Sequence, residues 1–193
     1  KIVLISLTMT TLAGGFIFGS LTFLIPRMFE VNLPGISVDV AITGLLAGIV
    51  YGIASFSQVC VGYLIDRYSP KIILGIVGLG QLILIFLASL YIDYALFFVM
   101  LMAMFFVFGQ IPITDAILVR YVDDRWRARV LSMKFLINLC AGASVLPLVS
   151  IFLSYGFTFS DLLKILSFLA IFVAISAYML PTIKVNKPEL KTA

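Results

Sequence analysis

The chain has 193 residues, of which 63% are hydrophobic and only 11% are charged, and its formal net charge is +4 at pH 7. Soluble domains carry about 25% charged residues, so a soluble domain of this size could not cover so much apolar surface, and we expect lipid as the solvent. The sequence contains no histidine, which removes the commonest metal ligand and acid–base group. No run rich in glycine, serine, proline or charge separates two parts of the chain, which indicates one domain.

Long apolar runs divide the sequence into six predicted membrane spans. A helix needs about 20 residues to cross the hydrocarbon of a bilayer, and the runs are too long and too irregular for barrel strands of about 10 residues. We therefore predict an all-α membrane protein, with a bundle over residues 1–183 and a cytoplasmic tail over 184–193. The six runs are 2–25, 40–65, 72–92, 95–119, 130–154 and 162–180.

Basic residues are distributed unevenly between the two sets of loops. One set contains little more than Arg27, with Lys164 just inside the last span. By the positive-inside rule the other set faces the cytosol, so we expect both termini there. The net positive charge is then a topology signal, and we expect no nucleic-acid partner. The basic set contains Lys1, Arg67, Lys71, Arg120, Arg125, Arg127, Arg129, Lys184, Lys187 and Lys191.

The second span has small and polar residues at alternating steps of four and three, which is the spacing of one helix face. Small residues on one face let another helix approach closely, and Tyr51 and Gln58 need polar partners away from lipid. Two interpretations stay open, a buried helix–helix contact and a face turned toward a solute pathway. The first span has a weaker face of the same kind, which includes Thr11. The stripe of the second span consists of Gly44, Gly48, Tyr51, Ser55, Gln58 and Gly62.

The fourth span contains the polar residues Gln110, Thr114 and Asp115 around Pro112. The proline removes a backbone donor and predicts a bend near the carbonyl group of Phe108. Asp115 is the only carboxylate well inside a predicted span, which makes it a functional candidate. Because Asp115 is turned by about 140° from Gln110 on a helix, we do not expect both to point into one narrow pore.

Asp115 has a predicted partner in the fifth span. The hairpin of spans four and five has its midpoint between Asp124 and Arg125. Asp115 and Lys134 are each nine residues from that midpoint, so they should lie at similar depth. The pair either steadies the hairpin or takes part in substrate or proton movement. Asn138 lies one turn beyond Lys134 on the same face.

The third and sixth spans contain few polar residues beyond Gln81, some serines and Tyr178, so we expect them to face lipid. Cys60 and Cys140 lie inside apolar runs, where we expect packing residues and no disulfide. No Walker loop, dinucleotide fingerprint, zinc-ligand spacing or Ser/His/Asp set occurs in the sequence. We therefore predict no cofactor, no metal site and no enzyme activity.

The loop between spans two and three resembles that of the major facilitator superfamily of transporters. The family pattern is Gly-x-x-x-Asp-Arg-x-Gly-Arg-Arg/Lys. Ser69 and Pro70 depart from it, although Ser-Pro still forms a turn. Arg127-Ala128-Arg129 is similar to the Arg-Gly-Arg cluster with which the family begins the fifth span of each half. The residues of the loop that match the pattern are Gly62, Asp66, Arg67 and Lys71.

The resemblance covers residues 1–181 and implies the carboxy-terminal six-helix half of a transporter. Such a protein moves a small solute by alternating access, here in a bacterial inner (plasma) membrane, and its halves rock around a central cavity. The implied partners are the bilayer, an amino-terminal six-helix half of the same polypeptide and a small-molecule substrate. Spans one and four would line the cavity, two and five would flank it, and three and six would face lipid.

Two groups of candidate residues follow. The first would form the substrate or ion pathway, and the second would form a cytoplasmic latch between conformations. An alternative is a self-contained six-helix protein that works as a homodimeric scaffold or channel-like assembly, although the apolar start at Lys1 without methionine favours a longer polypeptide. The pathway group is Thr11, Tyr51, Gln58, Gln110, Thr114, Asp115, Lys134 and Asn138, and the latch group is Gly62, Asp66, Arg67, Lys71, Arg127 and Arg129.

Overall fold

A computed structural model describes residues 2–33 and 39–181, and within these ranges the chain is helical, with no strand. Lys1 and the predicted tail, with Lys184, Lys187 and Lys191, lie outside the described residues. The helices are α1 (Ile2–Asn32), α2 (Val40–Ser55), α3 (Ser57–Arg67), α4 (Pro70–Ala88), α5 (Asp93–Tyr121), α6 (Asp124–Ser154) and α7 (Phe159–Met179).

The helices form six candidate membrane spans. Only Phe56 separates α2 from α3, and its backbone dihedrals of −63° and −20° are helical, so the two helices make one span over Val40–Arg67. This span and the five other helices are long and apolar enough to cross a membrane, as far as the described residues go. The prediction of an all-α protein with six spans is therefore confirmed.

The helices extend beyond the apolar runs. We predicted a break over residues 26–39, but α1 continues past Pro26 to Asn32. The proline removes only one backbone hydrogen bond, and the buried Met28 and Phe29 hold the next turn in the bundle. The loop predicted over 120–129 is also much shorter, because α5 ends at Tyr121 and α6 begins at Asp124. Charged side chains at a helix end do not require the helix to stop.

The centre of the bundle consists of α1 and α5. On one side α2 and α3 pack on α5, on the other side α6 packs on α1, and α4 and α7 pack on each other behind them. In the most apolar window of each span, 50% of the residues of α5 are buried, but only 28% of those of α2–α3 and 17% of those of α6. Two flanking surfaces are therefore left uncovered by the described chain.

The exposure of α4 and α7 is only partly as predicted. Their outward faces are apolar, with exposed residues such as Ile76 and Phe172. However, both are more covered than α2–α3 and α6, because they form a long contact with each other. At one point of this contact a Cβ atom on Gly78 would lie 2.8 Å from the backbone nitrogen of Ala174, so the two backbones approach closely.

Basic side chains collect at one end of the bundle. There the guanidinium of Arg120 donates to the carbonyl oxygen of Ile65 at 2.8 Å, and the hydroxyl of Tyr121 donates to that of Pro181 at 2.8 Å. These bonds join the ends of α3, α5 and α7. The predicted sorting of cations is therefore present in the described residues, while the side of the membrane stays a prediction. The described cations at this end are Arg67, Lys71, Arg120, Arg125, Arg127 and Arg129.

The opposite end has two described cations, and each is paired with an acid on its own helix. Arg27 lies 2.6 Å from Glu30, and Lys164 lies 3.1 Å from Asp161. Both pairs have the i,i+3 spacing that places side chains on one helix face. The charge of each cation is thus balanced locally, which is not the case for most cations at the basic end.

Candidate functional site

A cleft of about 220 Å³ opens between α1, α5 and α6. Phe18, Val107 and Phe135 form apolar parts of its wall, but the rest is unusually polar for the interior of membrane spans. The structure therefore brings together most of the predicted pathway group, from three separate helices. The members that line the cleft are Thr11, Gln110, Thr114, Asp115, Lys134 and Asn138.

Glycines on α1 allow the helices to meet closely enough to form this cleft. A Cβ atom on Gly15 would overlap the side-chain amide of Asn138, and one on Gly19 would lie 3.4 Å from the Cα atom of Gly142. These two glycines therefore let α6 approach α1, as small residues do in membrane helix pairs. The approach places Asn138 in the cleft.

Gln110 and Asp115 both line the cleft but turn toward different helices, in keeping with our expectation that they would not point into one narrow pore. The cleft is wider than a pore, because it reaches from α1 to α6 with α5 as its floor. Gln110 turns toward α1, where its amide nitrogen donates to the carbonyl oxygen of Thr10 at 3.0 Å. Asp115 turns toward α6, where it meets Lys134. Two residues that point in different directions from α5 thus line two sides of the same cleft.

The predicted ion pair between Asp115 and Lys134 is confirmed. The lysine side chain is only 12% exposed, whereas that of the aspartate is 52% exposed. The ammonium group therefore depends on the carboxylate, since a cation removed from water is costly without a partner. The carboxylate still faces the cleft. A cation or a proton arriving in the cleft could compete for Asp115, and an anion could compete for Lys134.

Sequence analysis missed a buried network of hydrogen bonds behind the cleft. The amide nitrogen of Gln81 on α4 donates to the amide oxygen of Gln110 at 2.8 Å. Gln81 is fully buried, and a Cβ atom on Gly14 would overlap the Gln110 amide, so both glutamines are fixed in place. The one signal for this role was that Gln81 is the only amide side chain in an otherwise apolar span.

The network continues to α7 through hydroxyl groups. The hydroxyls of Thr10 and Ser176 lie 2.5 Å apart, and the hydroxyl of Ser6 donates to the carbonyl oxygen of Ser176 at 2.7 Å. Gln110 connects to the same group through the carbonyl of Thr10. The hydrogen bonds therefore join α1, α4, α5 and α7 into one rigid rear wall, on which the cleft opens.

The threonines of the cleft use their hydroxyl protons within their own helices. Thr11 donates to the carbonyl oxygen of Leu7 at 2.7 Å, and Thr114 donates to that of Ile111 at 2.8 Å. Such bonds are common for threonine in membrane helices. The two hydroxyl groups can therefore act only as acceptors toward a solute in this arrangement. The donors in the cleft are the amides and the ammonium group.

The stripe on α2 and α3 does not belong to the cleft. A Cβ atom on Gly44, Gly48 or Gly62 would meet nothing within 4 Å in the described chain, and the buried face of the span is a different one that includes Val50. Our interpretation of the stripe as a helix–helix contact is therefore not met at its glycines within the residues that the structure describes. These glycines form an open surface.

The two members of that stripe in the predicted pathway group have different positions. The hydroxyl of Tyr51 donates to the carbonyl oxygen of Thr22 on α1 at 2.8 Å, which ties α2 to the centre of the bundle. Gln58 is half-buried on α3, away from the cleft. Cys60 and Cys140 are exposed rather than packed in the core, contrary to our expectation.

The predicted latch residues lie at the basic end but do not form one cluster. Asp66 lies 3.8 Å from the guanidinium of Arg120, which sequence analysis counted only as a topology charge. Arg67 lies over the ring of Tyr63 at 4.2 Å. Gly62, at the exposed stripe, has open space around it. Asp66 thus joins two spans through an ion pair.

Of the remaining latch candidates, Arg127 and Arg129 have partners near them in sequence, and Lys71 has one on another helix. Arg127 lies 2.5 Å from Asp124 and donates to the carbonyl oxygen of Val119 at 2.9 Å, which caps the end of α5. Arg129 lies over the ring of Trp126 at 5.0 Å. Lys71 lies over the ring of Tyr178 on α7 at 5.4 Å.

In comparisons with known proteins, no family model matches the chain and no curated protein matches it. The resemblance to the major facilitator superfamily therefore stays a prediction from the loop residues and the order of the spans. The function of the chain is accordingly inferred from the geometry of its cleft.

Proposed function

We propose that the chain is one six-helix half of a secondary active transporter of the major facilitator type, which moves a small solute by alternating access. The observation that carries the proposal is the cleft between α1, α5 and α6. It gathers an ion pair, an amide and hydroxyl groups inside spans that are otherwise apolar. Polar and charged groups at such depth are expensive, and in membrane proteins they mark solute and ion pathways.

The uncovered surfaces of the bundle support a second half. The span formed by α2 and α3 flanks the cleft on one side and α6 flanks it on the other, and these are the least buried spans. A second six-helix bundle against both would convert the open cleft into a central cavity between two halves, as in transporters built from repeats. The pathway would then run between the bundles.

The ion pair is the proposed coupling element. No nucleotide-binding motif occurs in the sequence, so an ion gradient would supply the energy. A proton on Asp115 would release Lys134, and a ligand can shift a conformational equilibrium only through such differential contacts. With Asp115→Asn we expect loss of solute-dependent proton uptake by the full-length protein, measured with a pH-sensitive dye inside liposomes. Unchanged proton uptake would remove this role from Asp115.

Two-sided accessibility tests the alternating-access proposal without knowledge of the solute. In the full-length protein, with Cys60 and Cys140 replaced by alanine, Asn138→Cys would place a thiol in the cleft. We expect a membrane-impermeant maleimide to label it both in right-side-out and in inverted vesicles. Ile83→Cys, on the exposed apolar face of α4, is the matched control and should resist the reagent from both sides. Labelling of the cleft from one side alone would contradict the proposal.

The second candidate function is a homodimeric scaffold or channel-like assembly, which the open glycine stripe on α2 favours. A second copy could pack on Gly44 and Gly48 just as well as a second half could. Gly48→Cys separates the two candidates, because nothing lies within 4 Å of the added side chain. Oxidative cross-linking to a covalent dimer of two copies supports the assembly. A cross-link to a cysteine placed in a second bundle of the same polypeptide supports the transporter.

A further inference from the structure

A second cleft, of about 330 Å³, adjoins the first and leads toward the basic end of the bundle. The two clefts share Thr11 and Lys134, so they form one continuous groove between α1 and α6. We call this second section the outer groove. Its lining is largely apolar. The apolar residues are Leu4, Leu7, Val130, Met133 and Ile137.

The charges of the outer groove are of one sign. Arg129 and Lys134 line it, and among the described residues no carboxylate does. Lys134 has Asp115 as its partner, but that carboxylate lines only the first section. Arg129 lies over the Trp126 ring, and across residues 2–33 and 39–181 no carboxylate lies within ion-pair distance of it. Apolar walls strengthen the field of these cations in the groove.

The two cations can reach one charged group because both of their long side chains line the same groove. Arg129 and Lys134 are five residues apart on α6, which corresponds to about 7.5 Å along a helix axis and a turn of about 140°. A carboxylate or a similar anionic head between them would gain charge-assisted hydrogen bonds from both. An apolar body attached to that head would lie on the wall formed by Leu7 and Met133.

We propose that the groove binds an amphipathic anion with one charged head and one short apolar body, with Arg129 and Lys134 holding the head. The size of the groove favours a free solute of this kind. Its two sections, of about 330 Å³ and 220 Å³, together fall within the range of about 300–1,000 Å³ that holds drug-sized ligands. This inference rests on the proposed transport function, since it names the substrate class of the same site.

The ion pair predicts that two substitutions change the affinity for the anion in opposite directions. Lys134 cannot bind an anion fully while it is bound to Asp115, so the solute and the aspartate compete for one ammonium group. Neutralising Asp115 should therefore strengthen anion binding, whereas neutralising Arg129 should weaken it. Substitutions that merely disturb the fold would weaken binding in both cases.

The tryptophan of the groove reports binding directly. Trp126 is the only tryptophan in the chain, it lines the outer groove, and it is 56% exposed. The experiment uses the full-length protein in nanodiscs of zwitterionic lipid, with any tryptophan outside these 193 residues replaced by phenylalanine. Quenching of its fluorescence is titrated with three probes that share one brominated tail: ω-bromooctanoate, ω-bromooctanol and ω-bromooctyltrimethylammonium.

We expect saturable quenching by the carboxylate, with a Kd about tenfold below that of the alcohol, and non-saturating quenching by the cation. Arg129→Gln should raise the carboxylate Kd about tenfold, and Asp115→Asn should lower it several-fold. Arg27→Gln, at the opposite end of the bundle, is the matched control and should leave the Kd unchanged. Trp126→Phe should remove the signal.

Several outcomes would overturn the inference. Equal Kd values for the alcohol and the carboxylate would show that no anion site exists. Linear quenching by all three probes would show partition into lipid alone. Loss of the carboxylate signal when phosphatidylglycerol is added would assign the cations to a lipid headgroup. Failure of the transport proposal is a separate result, because one-sided labelling of Asn138→Cys would refute alternating access and leave these binding data unchanged.

Discussion

Two polar regions lie side by side within the spans, and their surroundings differ. The hydrogen-bonded network of Gln81, Gln110, Thr10 and Ser176 is almost entirely buried between four helices. The ion pair of Asp115 and Lys134 borders an open cleft, and its carboxylate is half-exposed. Buried side chains that are bonded to one another stiffen a bundle, whereas a pair beside a cleft can exchange one partner for another. For this reason we propose the ion pair, and not the network, as the region that responds to a solute.

The largest expected effect is on the rigid network and comes from a single added methyl group. In Gly14→Ala the new Cβ atom would displace the Gln110 amide and break its bonds to Thr10 and Gln81. We expect the free energy of unfolding to fall by about 2–3 kcal/mol, measured by chemical denaturation of the detergent-solubilised protein. Gly48→Ala is the matched control, and its effect should be neutral or stabilising by up to about 1 kcal/mol. Equal effects at the two glycines would contradict the network.

The second-largest expected effect on stability tests whether Gln81 and Gln110 stabilise the fold together. Gln81→Leu leaves the amide oxygen of Gln110 buried without its donor, which should cost about 1–2 kcal/mol of the free energy of unfolding. Replacing both glutamines by leucine removes donor and acceptor together and should cost less than the sum of the single changes. A double-mutant cycle measures this coupling. Additive effects would show that the residues are independent.

The ion pair should respond asymmetrically to loss of either member. Asp115→Asn leaves a largely buried ammonium group without its carboxylate, whereas Lys134→Gln leaves a carboxylate that is half-exposed. We expect the first change to lower the free energy of unfolding by about 1–2 kcal/mol and the second by about half as much, since water and the cleft solvate the exposed group. The reverse order would mean that the aspartate is the buried partner.

The smallest effect on stability is expected at the basic end. Asp66 and Arg120 form an exposed pair at 3.8 Å, so Asp66→Asn should change the free energy of unfolding by less than about 1 kcal/mol. If Asp66 acts as a latch, the same change should alter the ratio of labelling of Asn138→Cys from the two sides. Glu30→Gln at the opposite end is the control and should leave that ratio unchanged. An unaltered ratio with Asp66→Asn would remove the latch role.

Sequence analysis predicted some features well for a simple physical reason. Counting from the turn of a hairpin fixes the depth of each residue, which is why residue spacing alone was enough to find the partner of Asp115. Length and charge likewise predicted six spans and the sorting of cations. Bilayer thickness sets the length of each apolar run, and topology sets which loops are basic. These features depend on distance along the chain and not on which face of a helix is turned inward.

The features that the sequence did not reveal depend on which face of each helix is turned inward. In lipid the outward face of a helix is as apolar as its inward face, so hydrophobic periodicity does not show which face packs. For this reason Gln81 was assigned to an outer span although it is fully buried. The glycine stripe of α2 was open to two interpretations for the same reason, because small residues suit a neighbour in the bundle and a neighbour outside it equally well.

The two ion pairs at the less basic end have a consequence for biosynthesis. Arg27 with Glu30 and Lys164 with Asp161 each lie within one helical turn, so each pair can form as soon as its own helix forms. In a newly synthesised hairpin each pair would then be electrically neutral before any tertiary contact forms. With the orientation predicted from the sequence, that would lower the cost of carrying this end across the hydrocarbon, while the positive-inside rule would keep the more basic end on the side where translation takes place.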